Sequence, residues 1–289
     1  MKKILLVIYK AVKAVFGGHG IGRIYLIRII NNAVLKHIKS NFVVVRGHKM
    51  FLDSKDSLNL SLYGVYEEFE TELIEKEVKK EDSVLDIGAN IGYYTLIFAK
   101  LVGEHGKVFA FEPDPTNFEL LRRNIEENGY KNVVLINKAV SDKSERLKLF
   151  LSEDNLADHR IYDSQDGRKF IEIESIRLDD YFKGYSGKID FIKMDIEGTE
   201  YGAVRGMGTL FKKTKGLIII SEFWPFGLKR SGVEPVEYLN TLREYGFHLY
   251  ELNEKEKKLN SVDIAKLLKA YTVGKENHAN LLCTEKEVC

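Results

Sequence analysis

The sequence predicts an α/β protein: a doubly wound, mostly parallel seven-stranded sheet preceded by a cap of helices and a β-hairpin. Three observations predict it. From Ser83 onward, short apolar runs alternate with amphipathic stretches at helical spacing, the pattern of parallel strands joined by crossover helices. One of those runs, residues 84–87, leads straight into a glycine turn and then a helix, the ligand-binding corner of such sheets. The first 65 residues lack this rhythm, so residues 1–65 read as a cap and residues 66–289 as the main domain.

In the cap, residues 1–16 combine a basic start with apolar positions. Lys10 and Lys13 interrupt the run and no small-residue cleavage site follows, which disfavours a secretory signal. An amphipathic helix is expected, packed on the body or resting on a membrane surface through Lys2, Lys3, Lys10 and Lys13. No uncharged apolar run reaches the roughly 18 residues of a spanning helix. Gly17-Gly18-His19-Gly20 ends this helix, and residues 21–38 read as a second. Residues 42–45 and 50–52 read as a hairpin around Arg46-Gly47-His48-Lys49, with His48 in the turn. A helix follows, with Phe69, Leu73, Ile74 and Val78 on its inner face.

In the main domain the expected strands are residues 84–87, 108–111, 133–136, 189–194, 217–220, 247–252 and 279–283, the last adding antiparallel. Asp114 caps and Pro115 opens a helix with Phe118, Leu121 and Ile125 inward, stopped at Gly129. Pro235 opens another, with Val236, Leu239 and Leu242 inward, and a late helix begins at Ser261. Residues 146–151 and 170–176 alternate as half-exposed strands around a long polar loop, residues 152–169. Loops of that length tend to be functional. Net charge is +1 and the pI about 7.7, which excludes a general attraction to nucleic acid. Cys283 and Cys289 match no metal or disulfide spacing and read as reduced thiols of a cytoplasmic protein, with peripheral contact at the inner membrane face through the first helix as an extension.

Charge decides what the glycine turn can hold. A dinucleotide fingerprint needs G-x-G-x-x-G, and Asn90 stands at the middle glycine. Asp86 at the strand end would repel a pyrophosphate but suits the ammonium and sulfonium of S-adenosylmethionine. Glu112 ends the next strand, where such folds place a ribose-hydroxyl acceptor. Asp195 and Glu222 end two further strands, so four acids share one rim. The bland reading of Asp195 with Glu197 is a helix-entry pair. The loop 152–169 brings Asp158, His159 and Arg160 in succession.

Asp86-Ile-Gly-Ala-Asn-Ile-Gly92, Phe111-Glu-Pro113, Asn124 with Asn128-Gly129, Leu178-Asp179 and Lys193-Met-Asp-Ile-Glu-Gly-Thr-Glu200, in that order, resemble the FkbM family of methyltransferases. The likeness runs from about residue 66 to residue 222, with Met194 in place of a common aliphatic residue. It implies a class I, Rossmann-like fold, S-adenosylmethionine as cofactor, and O-methylation of a hydroxyl on a sugar, glycan or natural product. It further implies that Asp86, Gly88, Ala89, Asn90 and Gly92 carry the methionyl part, Glu112 and Pro113 the ribose, and Ala139, Val140 and Asp142 the adenine. Asp195 is the expected base or hydroxyl orienter, with His159 second. A divalent metal at Asp195, Glu197 or Glu222 is a less favoured variant. The rival readings are a nicotinamide-dependent oxidoreductase or epimerase, disfavoured by Asn90, and a non-catalytic cofactor-binding scaffold.

Overall fold

The computed structural model describes residues 41–274 and 277–288. The two helices expected within residues 1–38 and the thiol of Cys289 lie outside the described residues. Strands β1 (Phe42–Val45) and β2 (His48–Phe51) form an antiparallel hairpin. Arg46 and Gly47 have φ of 51° and 91°, the two-residue turn whose twist matches paired strands. His48 is therefore not a turn residue: it pairs with Val45, is buried, and its Nε2 lies 2.6 Å from the Tyr130 hydroxyl. Helices α1 (Leu60–Tyr63) and α2 (Glu68–Glu77) follow, and α2 buries Glu70 and Thr71 as well as the expected Leu73 and Ile74.

The parallel sheet begins with β3 (Ser83–Ile87), α3 (Tyr93–Val102), β4 (Lys107–Phe111), α4 (Pro115–Glu127) and β5 (Val133–Ile136). The Asp114 carboxylate caps α4 by accepting from the N–H groups of Thr116 and Asn117. Asn124 on the buried face of α4 accepts from the Phe51 N–H at 2.7 Å and donates to the Phe51 and Ile91 carbonyls. Asn128 bonds Lys49 in the same reciprocal way, so the hairpin is tied to α4, the sheet's second crossover helix.

Three strands, β6 (Ala139–Val140), β7 (Arg146–Phe150) and β8 (Phe170–Ile176), form a separate small sheet. The main sheet resumes through α5 (Leu178–Tyr181), β9 (Phe191–Met194), α6 (Glu200–Arg205), α7 (Gly208–Lys213) and β10 (Ile218–Phe223). It finishes with α8 (Pro225–Arg230), α9 (Pro235–Glu244), β11 (His248–Asn253), β12 (Lys258–Ser261), α10 (Ile264–Ala270) and β13 (Ala279–Thr284).

Strand order is β12-β11-β13-β10-β9-β3-β4-β5, eight strands rather than seven. The run from β10 to β5 is parallel, and β13 inserts antiparallel between β10 and β11, as its late position led us to expect. The extra strand is β12, which pairs with β11 at the sheet edge and carries a polar sequence without clear alternation. Consequently Ser261 ends a strand, and Asp263 caps α10 by accepting from the Lys266 N–H. In α9, Tyr238 rather than Val236 joins Leu239 and Leu242 in the core.

One apolar core, including Leu85, Ile87, Phe109 and Ile192, fills one sheet face; Val84, Val108, Phe191 and Ile220 belong to a second on the other. The chain moves outward in opposite directions from β3 and β9, and that reversal opens a crevice beyond their carboxyl ends. No described helix is long and apolar enough to cross a membrane.

Candidate active site

The turn after β3 is held by the next strand. The N–H groups of Gly88 and Ala89 both donate to the Phe111 carbonyl, at 3.0 and 2.9 Å. Gly88, Asn90 and Gly92 have φ of 85°, 50° and 93°, values glycine adopts freely and asparagine tolerates. A Cβ on Gly88 would stand 1.9 Å from the Asp195 carbonyl oxygen, and one on Gly92 would stand 2.7 Å from Leu121 Cδ1. The two glycines thus admit neighbouring backbone and helix.

Glu112 ties turn to strand. Its Oε2 accepts from the Asn90 N–H and its Oε1 from the Asp114 N–H, each at 2.8 Å. Burial pushes its carboxyl up to about 8, against the pull of those two donors. Asp86 is buried on β3 and accepts from the Thr95 hydroxyl at 2.5 Å; burial pushes it up to about 6.

Three connected compartments lie above the strand ends. The first, about 550 Å³, is lined by Phe111, Glu112, Pro113, Ala139, Val140 and Leu149 among others. The second, about 490 Å³, is lined by Asp86, Ala89, Tyr94 and Lys193. The third, about 770 Å³, is lined by Glu67, Arg160, Glu222, Trp224 and His278. Asp195 and Glu197 border all three, and Gly88 and Asn90 border the first two. The predicted residues are therefore gathered into one cleft, with two exceptions. Gly92 packs on Leu121, and Asp142 neighbours Ser141 outside the lining.

The turn after β9 explains the Glu-Gly-Thr-Glu run. Asp195 donates its N–H to the Ile87 carbonyl at 3.0 Å, locking the two strand ends together. Glu197 and Gly198 then take φ of 56° and 92°. A Cβ on Gly198 would stand 2.4 Å from the Gly227 carbonyl carbon. Glu200 holds this turn, its Oε1 accepting from the N–H groups of Ile196 and Gly198. Glu200 thus does what the bland reading gave to Asp195 and Glu197, whose side chains face the cleft. Burial and the adjacent Asp195 push Glu197 and Glu222 well above the usual carboxyl range.

His159 lies on the first compartment, away from the acidic third. Its Nδ1 accepts from the Ser152 N–H at 3.0 Å, and its Nε2 is 4.0 Å from Asp114. Burial lowers its proton affinity. Its ring ties down the loop 152–169, which Arg160 and Arg168 also brace through Asp158 and which covers the cleft with Leu156, Ala157 and Ile161.

The reading from sequence missed a buried charge array beneath Asp195. Lys193, on the same sheet face as Asp86, has its Nζ 3.1 Å from Glu70 Oε1 and 3.4 Å from Asp195 Oδ2. Glu67 accepts from the Tyr94 hydroxyl and from Asn280 nearby. The one signal was a lysine inside an apolar strand, which calls for a buried anion. Among the described residues, no group of three or more His, Cys, Asp and Glu side chains is arranged to hold a metal ion.

The profile of the methyltransferase FkbM domain matches residues 86–249, more than half of the chain, from the Asp86 strand to β11. The chain belongs to the FkbM methyltransferase family. Curated relatives match shorter stretches. A protein-L-isoaspartate O-methyltransferase of Methanococcoides burtonii is 41% identical over 54 residues, 19% of this chain and 27% of that one. A probable cobalt-precorrin-6B C(15)-methyltransferase of Saccharolobus solfataricus is 30% identical over 131 residues, 45% of this chain and 63% of the relative. The match thus spans about a quarter of the first of these relatives. Among solved structures, an FkbM methyltransferase of Methylobacillus flagellatus is 15% identical, with TM-score 0.42, over 78% of this chain and 52% of that one.

Proposed function

We propose that this FkbM protein transfers the methyl group of S-adenosylmethionine to a hydroxyl on a sugar, glycan or natural product in the cytoplasm. The observation that carries the reading is the grading of one cleft. Its first compartment has an apolar wall beside Glu112, Asp195 and Glu197 lie where the compartments meet, and its far end adds Glu67, Asp158 and Glu222. The residues fit the cofactor: Ala139 and Val140 offer an apolar wall for a base, Glu112 free acceptor capacity for ribose hydroxyls, and Asp86 an acid on the methionyl side. The Asp86 carboxylate beside the turn disfavours a pyrophosphate there, which counts against the nicotinamide reading.

The bound cofactor would supply an already electrophilic methyl group. What remains for the protein is to place the acceptor oxygen in line and to take its proton. Asp195 stands where the three compartments meet, with a side chain partly open to the cleft. Its carboxylate would accept the hydroxyl proton when the methyl passes from sulfur to oxygen, leaving S-adenosylhomocysteine and a methyl ether. The acids of the third compartment accept hydrogen bonds from the other hydroxyls of a polyol acceptor. His159, whose Nδ1 is already engaged, positions the loop and does not move the proton.

The test is methyl transfer to a panel of glycosides, read as S-adenosylhomocysteine formed. Asp195→Asn keeps size and hydrogen bonding but removes the base, so turnover should fall about 10²–10⁴-fold with little change in cofactor affinity. Wild-type turnover in Asp195→Asn would refute the assignment. Methylation of none of the panel would refute the acceptor class.

A further inference from the structure

We propose that Lys193 is a positioning residue for Asp195, anchored from behind by Glu70, so that one carboxylate oxygen is held and the other is left for the acceptor. The inference rests on the reading of Asp195 as the proton acceptor. Lys193 is 1% exposed and Glu70 is fully buried. Desolvation alone would strip the lysine of its proton, yet the anions around it hold its proton affinity well above the ordinary value. Glu70 comes first among them, then Asp195 and Glu67. The Tyr94 ring lies 5.3 Å away, Asp86 pairs with Lys193 in register from β3, and Glu222 faces the group from β10.

The ammonium therefore cannot leave, and it has two carboxylates to serve. Glu70 has no hydrogen-bond partner beyond the ion pair, so it is committed to Lys193. Asp195 is the more exposed of the two and touches Lys193 only through Oδ2. When the Asp195 carboxylate accepts a proton, Glu70 still balances the ammonium, so the proton can arrive without stranding a buried charge. An isolated lysine–aspartate pair has no such reserve.

A purely structural lysine would be replaceable by any side chain that fills the space. Lys193→Met strands Glu70 and can fail to fold, so the decisive variant is the double substitution Lys193→Met with Glu70→Gln, which removes both charges. In the double variant kcat should fall about tenfold or more at neutral pH, because Asp195 is no longer held through Oδ2. KM for S-adenosylmethionine should stay within about twofold. A readout free of any acceptor is carbon-13 NMR of aspartate-labelled protein, with the Asp195 signal assigned by its absence in Asp195→Asn. That signal should shift and broaden in the double variant as the carboxylate loses its fixed partner. A folded double variant with an unmoved Asp195 signal and wild-type kcat would overturn the proposal, even if Asp195 proved to be the base. An active Asp195→Asn would instead sink the underlying reading and leave the NMR result to stand by itself.

Discussion

Consider Glu112→Gln. Each Glu112 oxygen accepts one backbone N–H at 2.8 Å, from Asn90 and from Asp114. Glutamine keeps a single acceptor oxygen, so one of those N–H groups would face an NH₂. An unsatisfied buried donor costs about 1–3 kcal/mol, and the loss should show in thermal or urea unfolding of the free protein. The larger effect should be on the cofactor. Charge-assisted hydrogen bonds from ribose hydroxyls are worth about 1.5–3 kcal/mol, so affinity should fall about 10- to 100-fold. The pH dependence is a sharper signature. Burial holds the free carboxyl at about 8, so at pH 6 to 7 it carries a proton that must leave for the ionised form to accept both hydroxyls. Wild-type affinity should therefore rise as pH increases from about 6 to 8, with protons released on binding. Calorimetry in two buffers of different ionisation enthalpy measures that release. Glu112→Gln should bind more weakly, with a smaller pH dependence and less proton release. Wild-type affinity in the variant, or an unchanged pH profile, would refute the ribose assignment.

Three further outcomes follow from the geometry. Stability of the ligand-free protein should decrease as pH rises from about 5 to 8, because Asp86 (about 6), Glu200 (about 7) and Glu112 (about 8) hold protons in the fold that the unfolded chain has released. Urea unfolding at both pH values checks this, and a rise would contradict the burial argument. Gly198→Ala combines a positive φ with contact at 2.4 Å to the Gly227 backbone, so it should cost about 3 kcal/mol or more and disturb the Asp195 turn. A thermal midpoint like that of the wild type would show that the turn can relax. Asn124→Ala should cost about 2–3 kcal/mol by freeing the hairpin and the Ile91 carbonyl, and hydrogen exchange should show protection lost first in β1 and β2.

How much was legible in the sequence follows from the range of the interactions. The β3 turn, the acids at strand ends and the Asp114 cap are local patterns, and each is where the spacing puts it. Glu70 was not legible, because its partner Lys193 is brought to it only by the sheet; on its own it reads as a helix acid. His48 was misplaced because a tight turn at Arg46-Gly47 returned it to a strand facing Tyr130, a contact far along the chain. Strand β12 is polar and lies at the sheet edge, so it has no buried face to impose alternation. Val236 and Tyr238 show the same limit: both suit a helix, and only the packing of α9 decides which one faces the core.

The most direct measurement is a calorimetric titration of the purified protein with S-adenosylmethionine and, separately, with NAD. S-adenosylmethionine should bind saturably, more weakly in Glu112→Gln, and NAD should show no comparable binding. Tight NAD binding with no heat from S-adenosylmethionine would contradict the cofactor reading.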